Sequence, residues 1–410
     1  MINRDRLVET FMSLVKINSP VFKERKVAEY LLHLLAELGV EAMLDESGSQ
    51  YGSDAGNIIG HFRGRRPDAL RVLLSAHMDT LVSGVDIEPI IENGIIKPAT
   101  KTILAADDKA GLAIILEVLR TIKEKDLEVG DVEIVISSGE EEGLLGAKHL
   151  DLSLLKADVA FVLDSDGPPG GVTTRAPSYD SIKAWIKGQA AHAGACPEKG
   201  INAIAAAARA ISQMKLGRID EETTANVGVI KGGVARNVVP EECYVEGEAR
   251  SHDPRKLAEL TASMIDALQR ACAEAGATFH PEVIREFEAF HVLEDQLPVR
   301  IFQEACRRCG LKPRTLSSGG GSDTNIFNAH GIPAVNLPIG IRDAHTDKET
   351  LPIKDFELAA RLVLEIVRVA GEMVVGEKGV NEHEKKQGSC RKEAELQARL
   401  PGSHSEPVCG

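Results

Sequence analysis

The segment His77-Met78-Asp79 closes a strand-like run, Leu70-Arg71-Val72-Leu73-Leu74-Ser75-Ala76. In an extended segment residues two apart point the same way, so the imidazole and the carboxylate can lie side by side at the strand's end. A metal-binding histidine uses such a neighbour, because a carboxylate on its second nitrogen fixes tautomer and ring orientation and raises basicity. The same pair could also simply end a strand at the surface; four more acidic or histidine clusters further along the chain decide between the two. Asp107-Asp108 comes after the strand-like Thr102-Ile103-Leu104-Ala105-Ala106 and before an apolar helix. Glu140-Glu141-Glu142-Gly143 follows a strand ending at Ile136, Asp164 ends Ala160-Phe161-Val162-Leu163, and His345 lies just past the last strand, in Arg342-Asp343-Ala344-His345-Thr346-Asp347. In open α/β sheets, sites form outside the carboxyl ends of the strands, so these side chains can converge on one crevice. So many carboxylates together are a costly crowd of negative charge, and metal cations are the remedy.

The elements that would position them are legible from periodicity. Two helical segments between Asp5 and Gly39 are broken at Ser19-Pro20, and Leu31, Leu32, Leu34, Leu35 and Leu38 form an apolar face on the second. Strands are expected at Ile58–Phe62, before His77, at Val132–Ile136 and at Val159–Leu163, with helices after Gly111 and near Leu144. This alternation predicts a largely parallel sheet covered on both faces. From about Tyr179 to Glu288 the pattern becomes strand–helix–strand–strand–helix–strand, which predicts a separate α+β, ferredoxin-like domain with an antiparallel sheet. After Leu297 the first pattern resumes, with a helix to Cys309, a Gly-rich loop, the strand Ala334–Leu337 and a helix over Asp355–Met373. The expected organisation is a catalytic domain in two parts, 1–178 and 289–376, an insert over 179–288, and a polar, disordered tail over 377–410.

Composition narrows the function classes. At 410 residues and 43% hydrophobic content the chain can build several cores. With 48 basic against 62 acidic side chains its net charge is −14, which argues against nucleic acid or an anionic membrane as partner. The first residues lack the apolar run of a signal peptide, and no stretch is long enough to span a bilayer. Seven irregularly spaced cysteines fit a reducing compartment, the cytoplasm. Cys306-Arg307-Arg308-Cys309 has the spacing of a redox or zinc pair, but it sits in a helical stretch with no second Cys/His pair at matching spacing, which favours a structural role.

Taken in order, His-x-Asp, Asp-Asp-Lys-x-Gly, Glu-Glu-x-Gly-x-x-Gly-Ala, strand-Asp and a late His resemble the di-zinc exopeptidase family of tripeptidase T, carboxypeptidase G, aminoacylase and succinyl-diaminopimelate desuccinylase. The likeness runs from Asp5 to Met373. Ala106-Asp107-Asp108-Lys109-Ala110-Gly111 and Gly146-Ala147-Lys148-His149 look most like tripeptidase T. The resemblance implies two Zn2+ per subunit, one held by His77 and Asp164, the other by Glu141 and His345, with Asp107 bridging. It implies that Asp79 orients His77, that Glu140 is the general base, and that the Asp107–Asp108 peptide is cis. The pair Glu140-Glu141 stands immediately before x-Gly, and opposite orientations along an extended chain would let the two do different work.

For the substrate, the family pattern points to His192 in Gly188-Gln189-Ala190-Ala191-His192-Ala193-Gly194, often reaching across a dimer. It also points to Asn237 with Arg236 in Arg236-Asn237-Val238-Val239-Pro240, to Arg250, and to Gly320 and Gly321 in Gly319-Gly320-Gly321-Ser322-Asp323. The implied activity is hydrolysis of short peptides, as a tripeptide aminopeptidase, by a homodimer formed through the insert. A deacylase or carboxypeptidase with the same metal motifs is the alternative within the family. A catalytically inactive binding module is the alternative outside it.

Overall fold

The computed structural model describes residues 1–374, so the expected tail, 377–410, lies outside the described residues. At the centre of a nine-stranded sheet four strands run parallel, in the spatial order Val132–Ser137, Val72–His77, Val159–Ser165 and Ala334–Pro338. They are buried along nearly their whole length. A strand covered on both faces reads as a continuous apolar run instead of an alternating one. Ile58–Phe62 and Glu41–Leu44 extend the sheet on one side, and Gly171–Ala176, Phe290–His291 and Arg314–Ser317 on the other. Because the central strands are parallel, their carboxyl ends share one rim. Ser137, His77 and Asp164 all stand on it.

Helix Ala106–Glu124 is almost wholly buried, packed against the sheet and against helices Arg4–Val15 and Ile353–Glu372. Its buried polar groups have partners. Lys109 Nζ donates to the Ile17 carbonyl at 2.6 Å, and Glu117 accepts from Arg6 Nε at 2.7 Å.

The inserted unit is the α+β arrangement expected. Its antiparallel sheet has the order Gly217–Arg218, Thr223–Gly232, Glu242–Ser251, Ser178–Lys187, Thr278–Phe287. Helices Ala203–Gln213 and Pro254–Ala275 cover one face. Both begin on side-chain caps: Asn202 accepts from the Ala205 amide, and Asp253, followed by Pro254, accepts from the Arg255 amide. Ala203, Ala206, Ala207 and Ala210 pack against Ala184, Ile186, Val245, Leu268 and Ala271. Their small side chains let the helix sit close to both sheet and neighbour. On the uncovered face Trp185 stacks near Tyr244 and His280, with ring centroids 5.4 and 6.1 Å away.

Three local expectations are corrected. Thr102–Ala106 is not a strand. Its amides are captured by a side chain: the Glu349 carboxylate accepts from the N–H groups of Leu104, Ala105, Ala106 and Asp107. Amides so occupied cannot join a ladder. The helix expected near Leu144 is only the short turn Leu145–Lys148. The Glu140-Glu141 pair is not extended but starts a turn, closed by the Gly143 and Leu144 amides on the Glu140 carbonyl. Periodicity gave no sign of the hairpin Pro89–Glu92/Ile95–Pro98, the strand Gly171–Ala176 or the short helix Asp323–Ala329.

Candidate metal centre

Five side chains from five separate places in the chain meet at the rim of the parallel strands. The two oxygens of Asp107 face two different histidines: Oδ1 lies 3.0 Å from His77 Nε2, and Oδ2 lies 3.0 Å from His345 Nε2. Asp164 Oδ1 is 4.0 Å from His77 Nε2, and Glu141 Oε1 is 3.2 Å from His345 Nε2. Two nitrogen–carboxylate groups thus flank one carboxylate. Zinc bonds of about 2.0–2.2 Å to nitrogen and oxygen in tetrahedral geometry put neighbouring donors about 3.3 Å apart, which these spacings bracket. Imidazole and carboxylate donors suit zinc and similar divalent ions, so the residues fit two such cations. His77, Asp108 and Asp164 also lie close enough to share an ion. Both Asp108 oxygens, however, already accept backbone amides, from His77 at 3.1 Å and Gly111 at 3.0 Å.

A layer of polar side chains fixes the backbone beneath. His77 Nδ1 lies 3.0 Å from the Asp79 carbonyl and 3.4 Å from its Oδ1, so the ring is turned with Nε2 toward the rim. The Asp79 carboxylate accepts from the amides of Glu140 and Glu141, at 3.0 and 3.1 Å. Buried Glu24 accepts from the Gly139 amide just before them. Asn336 holds the Asp164 backbone from both sides, accepting from its amide at 3.0 Å and donating to its carbonyl at 2.6 Å. The Asp107–Asp108 peptide bond is cis. Glu24, Asn336 and Glu349 went unread in the sequence. Only Asn336 had left a signal there, a lone amide in an otherwise apolar strand.

Charge in the cluster is strongly perturbed. Burial pushes Glu140, Asp164 and Asp108 well above the usual carboxylate range. Burial raises Asp323, whose Oδ2 accepts from Ser137 Oγ, to about 6. Burial would raise Asp107 and lower His77. Their contacts win instead: hydrogen bonds to His345 and His77 hold Asp107 low, and those to Asp107 and Asp79 hold His77 well above its ordinary value. Donating to the carboxylates of Asp107 and Glu141 takes His345 up to about 11. The carboxylates that burial raises, Glu140, Asp164 and Asp108, are short of positive charge, which divalent cations at the rim would supply.

The cavity over this cluster encloses about 380 Å³ and is lined by Glu140, Asp166, Thr173, Phe290, Asn336 and the Gly-rich loop at Ser318, Gly320 and Gly321, among others. Gly320 and Gly321 therefore face the acidic cluster. His192, Arg236 and Asn237 do not. They come together at one end of the insert, where His192 pairs with Val238 and the Ala193 amide donates to the Asn237 carbonyl, beside a second depression that Arg236 helps line. Arg250 lies against the Gly-rich loop, 4.3 Å above the Tyr179 ring and with Nη1 3.5 Å from the Gly319 carbonyl.

Close approach explains Gly321. A Cβ there would sit 2.2 Å from the Phe287 ring, which itself packs edge-on against Tyr179. Gly321→Ala should destabilise the protein by about 1–3 kcal/mol, the usual cost of forcing extra volume into packed space. Urea denaturation will show this. An unchanged midpoint would mean that the loop yields freely.

Comparison with known proteins places this arrangement. Residues 178–276 match the profile described as "Peptidase dimerisation domain", and residues 57–218 that of "Peptidase family M28". The protein YqjE of Bacillus subtilis, itself uncharacterised, is 40% identical over 372 residues, 91% of this chain and 100% of its own. A solved tripeptidase from Staphylococcus aureus is 40% identical with a TM-score of 0.87, over 91% of this chain and 100% of that one. The aminopeptidase PepT from Bacillus cereus is 39% identical with a TM-score of 0.83, over 90% and 99%. An acidic, histidine-flanked rim on a parallel sheet, with a dimerisation unit spliced in, defines a metallopeptidase. The chain belongs to the exopeptidase family of tripeptidase T.

Proposed function

We propose that the protein is a zinc-dependent aminopeptidase that removes the N-terminal residue from tripeptides, working as a homodimer in the cytoplasm. The observation that carries the metal assignment is Asp107, with one oxygen 3.0 Å from each histidine. In this reading His77 and Asp164 hold one zinc ion, Glu141 and His345 the other, and Asp107 bridges. Two ions held by these residues would supply Lewis-acid polarisation of a scissile carbonyl and a lowered pKa for a water at the site.

The chain's own groups do the rest. Glu140 takes the water's proton and passes it to the leaving amine. Asp79 keeps Glu140 and Glu141 in register by holding both their amides. Glu142 is exposed, which favours the first two glutamates of the run as the working pair. Gly320 and Gly321 let the loop backbone approach the peptide closely. His192 donates to the oxyanion that forms at the attacked carbonyl, while Asn237, Arg236 and Arg250 contact the substrate carboxylate or carbonyl. Because His192, Arg236 and Asn237 stand away from the acidic cavity of their own chain, they serve the partner's site. The dimerisation-domain match over residues 178–276 supports that assembly, and the tripeptidase and aminopeptidase relatives support the substrate class.

Peptide chemistry tests the reading. The zinc-loaded protein should release the N-terminal residue from tripeptides faster than it cleaves acyl-amino acids or C-terminal residues, followed by mass spectrometry of the products. Preference for acyl-amino acids or C-terminal cleavage would make it a deacylase or carboxypeptidase instead. No cleavage and no bound metal would leave a binding module.

A further inference from the structure

One fully buried carboxylate beside the metal centre has no part in the proposed chemistry. Glu349 has no exposed surface and lies four residues beyond His345. Its Oε2 accepts from the amides of Leu104 at 2.8 Å and Ala105 at 3.0 Å, and its Oε1 from those of Ala106 at 2.7 Å and Asp107 at 3.1 Å. The one carboxylate satisfies four consecutive amides of the loop that delivers Asp107. The loop bearing His345 is closed at its base by the paired backbones of Arg342 and Thr350, and the Glu349 amide donates back to the Thr346 carbonyl. His345 itself is half exposed. The buried end of its loop is therefore Glu349, and Glu349 is fastened to the loop of Asp107.

The two halves of the centre are secured differently. On the His77 side, Asp108 locks the His77 amide to that of Gly111, and Asn336 locks Asp164. On the other side Glu141 is held through Asp79, whereas among the described residues the loop of His345 has no comparable side-chain lock apart from Glu349. We infer that Glu349 is a positioning residue that sets the spacing of His345 to Asp107 and so makes the second cation site. This rests on the proposed two-ion centre.

Glu349→Gln is the sharp variant. It keeps size and one acceptor oxygen but turns an N–H₂ group toward two backbone N–H donors, so half of the clamp is lost. The protein and the variant are stripped with chelator and titrated with zinc by calorimetry, with bound zinc counted after dialysis. Partners lying behind metal ligands commonly carry 10–100-fold in metal affinity. The variant should bind one ion as the unaltered protein does and the other about 10–100-fold more weakly, with its circular dichroism spectrum unchanged. Two ions at full affinity, or equal weakening of both, would overturn the inference. Fewer than two ions on the unaltered protein would instead overturn the two-ion centre. Should Glu349→Gln not fold, Glu349→Asp, which keeps the charge with a shorter reach, takes its place. If both remain unfolded in excess zinc, Glu349 serves the fold alone and the inference fails.

Discussion

Replacing Glu140 by Gln should cut turnover of a tripeptide by at least about a hundredfold, the scale of general-base catalysis, while zinc content stays at the level of the unaltered protein. The substitution is nearly isosteric and leaves every proposed ligand in place. The Glu140 amide remains anchored on Asp79, so the turn should not move. Glu141→Gln should behave in the opposite way. Its oxygen faces His345 at 3.2 Å, and losing that charge should lose metal first and activity as a result. Steady-state kinetics paired with metal analysis separates the two. If the variants exchange behaviours, the general base is Glu141 and the ligand Glu140.

Mixing two inactive proteins should restore activity. His192→Ala lacks the donor proposed to reach the neighbouring site, and Glu140→Gln lacks the base. In the structure His192 Nδ1 accepts from the amides of Gly194 and Ala195, both at 3.1 Å. The proton must then sit on Nε2, the nitrogen facing outward, as an oxyanion donor requires. A heterodimer working across its interface has one site with both residues intact and one with neither. Random exchange in an equal mixture makes about half the dimers mixed, so about a quarter of full activity should return. Native mass spectrometry establishes that heterodimers form. Silence from a mixture that contains them would confine His192 to its own chain.

What could be read from the residues alone, and what could not, divides along a physical line. Val72–His77, Val132–Ser137 and Val159–Ser165 announced themselves because burial on both faces demands uninterrupted apolar runs. The insert did so because alternation and the Ala-rich helix mark a sheet covered on one face. The approach of His77, Glu141 and Asp164 followed from one topological fact, that parallel strands end on a common rim, whereas Asp107 and His345 reach that rim on loops. Contacts between a side chain and distant backbone leave no such trace. Glu349 meets the Leu104 amide across 245 positions, and nothing periodic records it. The same contact explains the misread strand. Thr102–Ala106 has a strand's composition, but its amides were already occupied. Glu140 and Glu141 were given the right neighbourhood and the wrong backbone, since the turn closes on carbonyl contacts that side-chain type does not encode.

The order in which this protein is synthesised now acquires meaning. The strand Ala334–Pro338 sits beside Val159–Ser165 near the middle of the sheet, although it is made long afterwards. His345 and Glu349 come later still, after the whole inserted unit has left the ribosome. A nascent chain can gather His77, Asp107, Glu141 and Asp164, but the rim stays open until the last strand slots in between neighbours that have been waiting for it. Such late, long-range closure slows folding, because the entropy of closing the loop is lost before its contacts form. A growing polypeptide that has not yet reached His345 and Glu349 lacks one of the five side chains of the rim and the carboxylate that holds the loop of another.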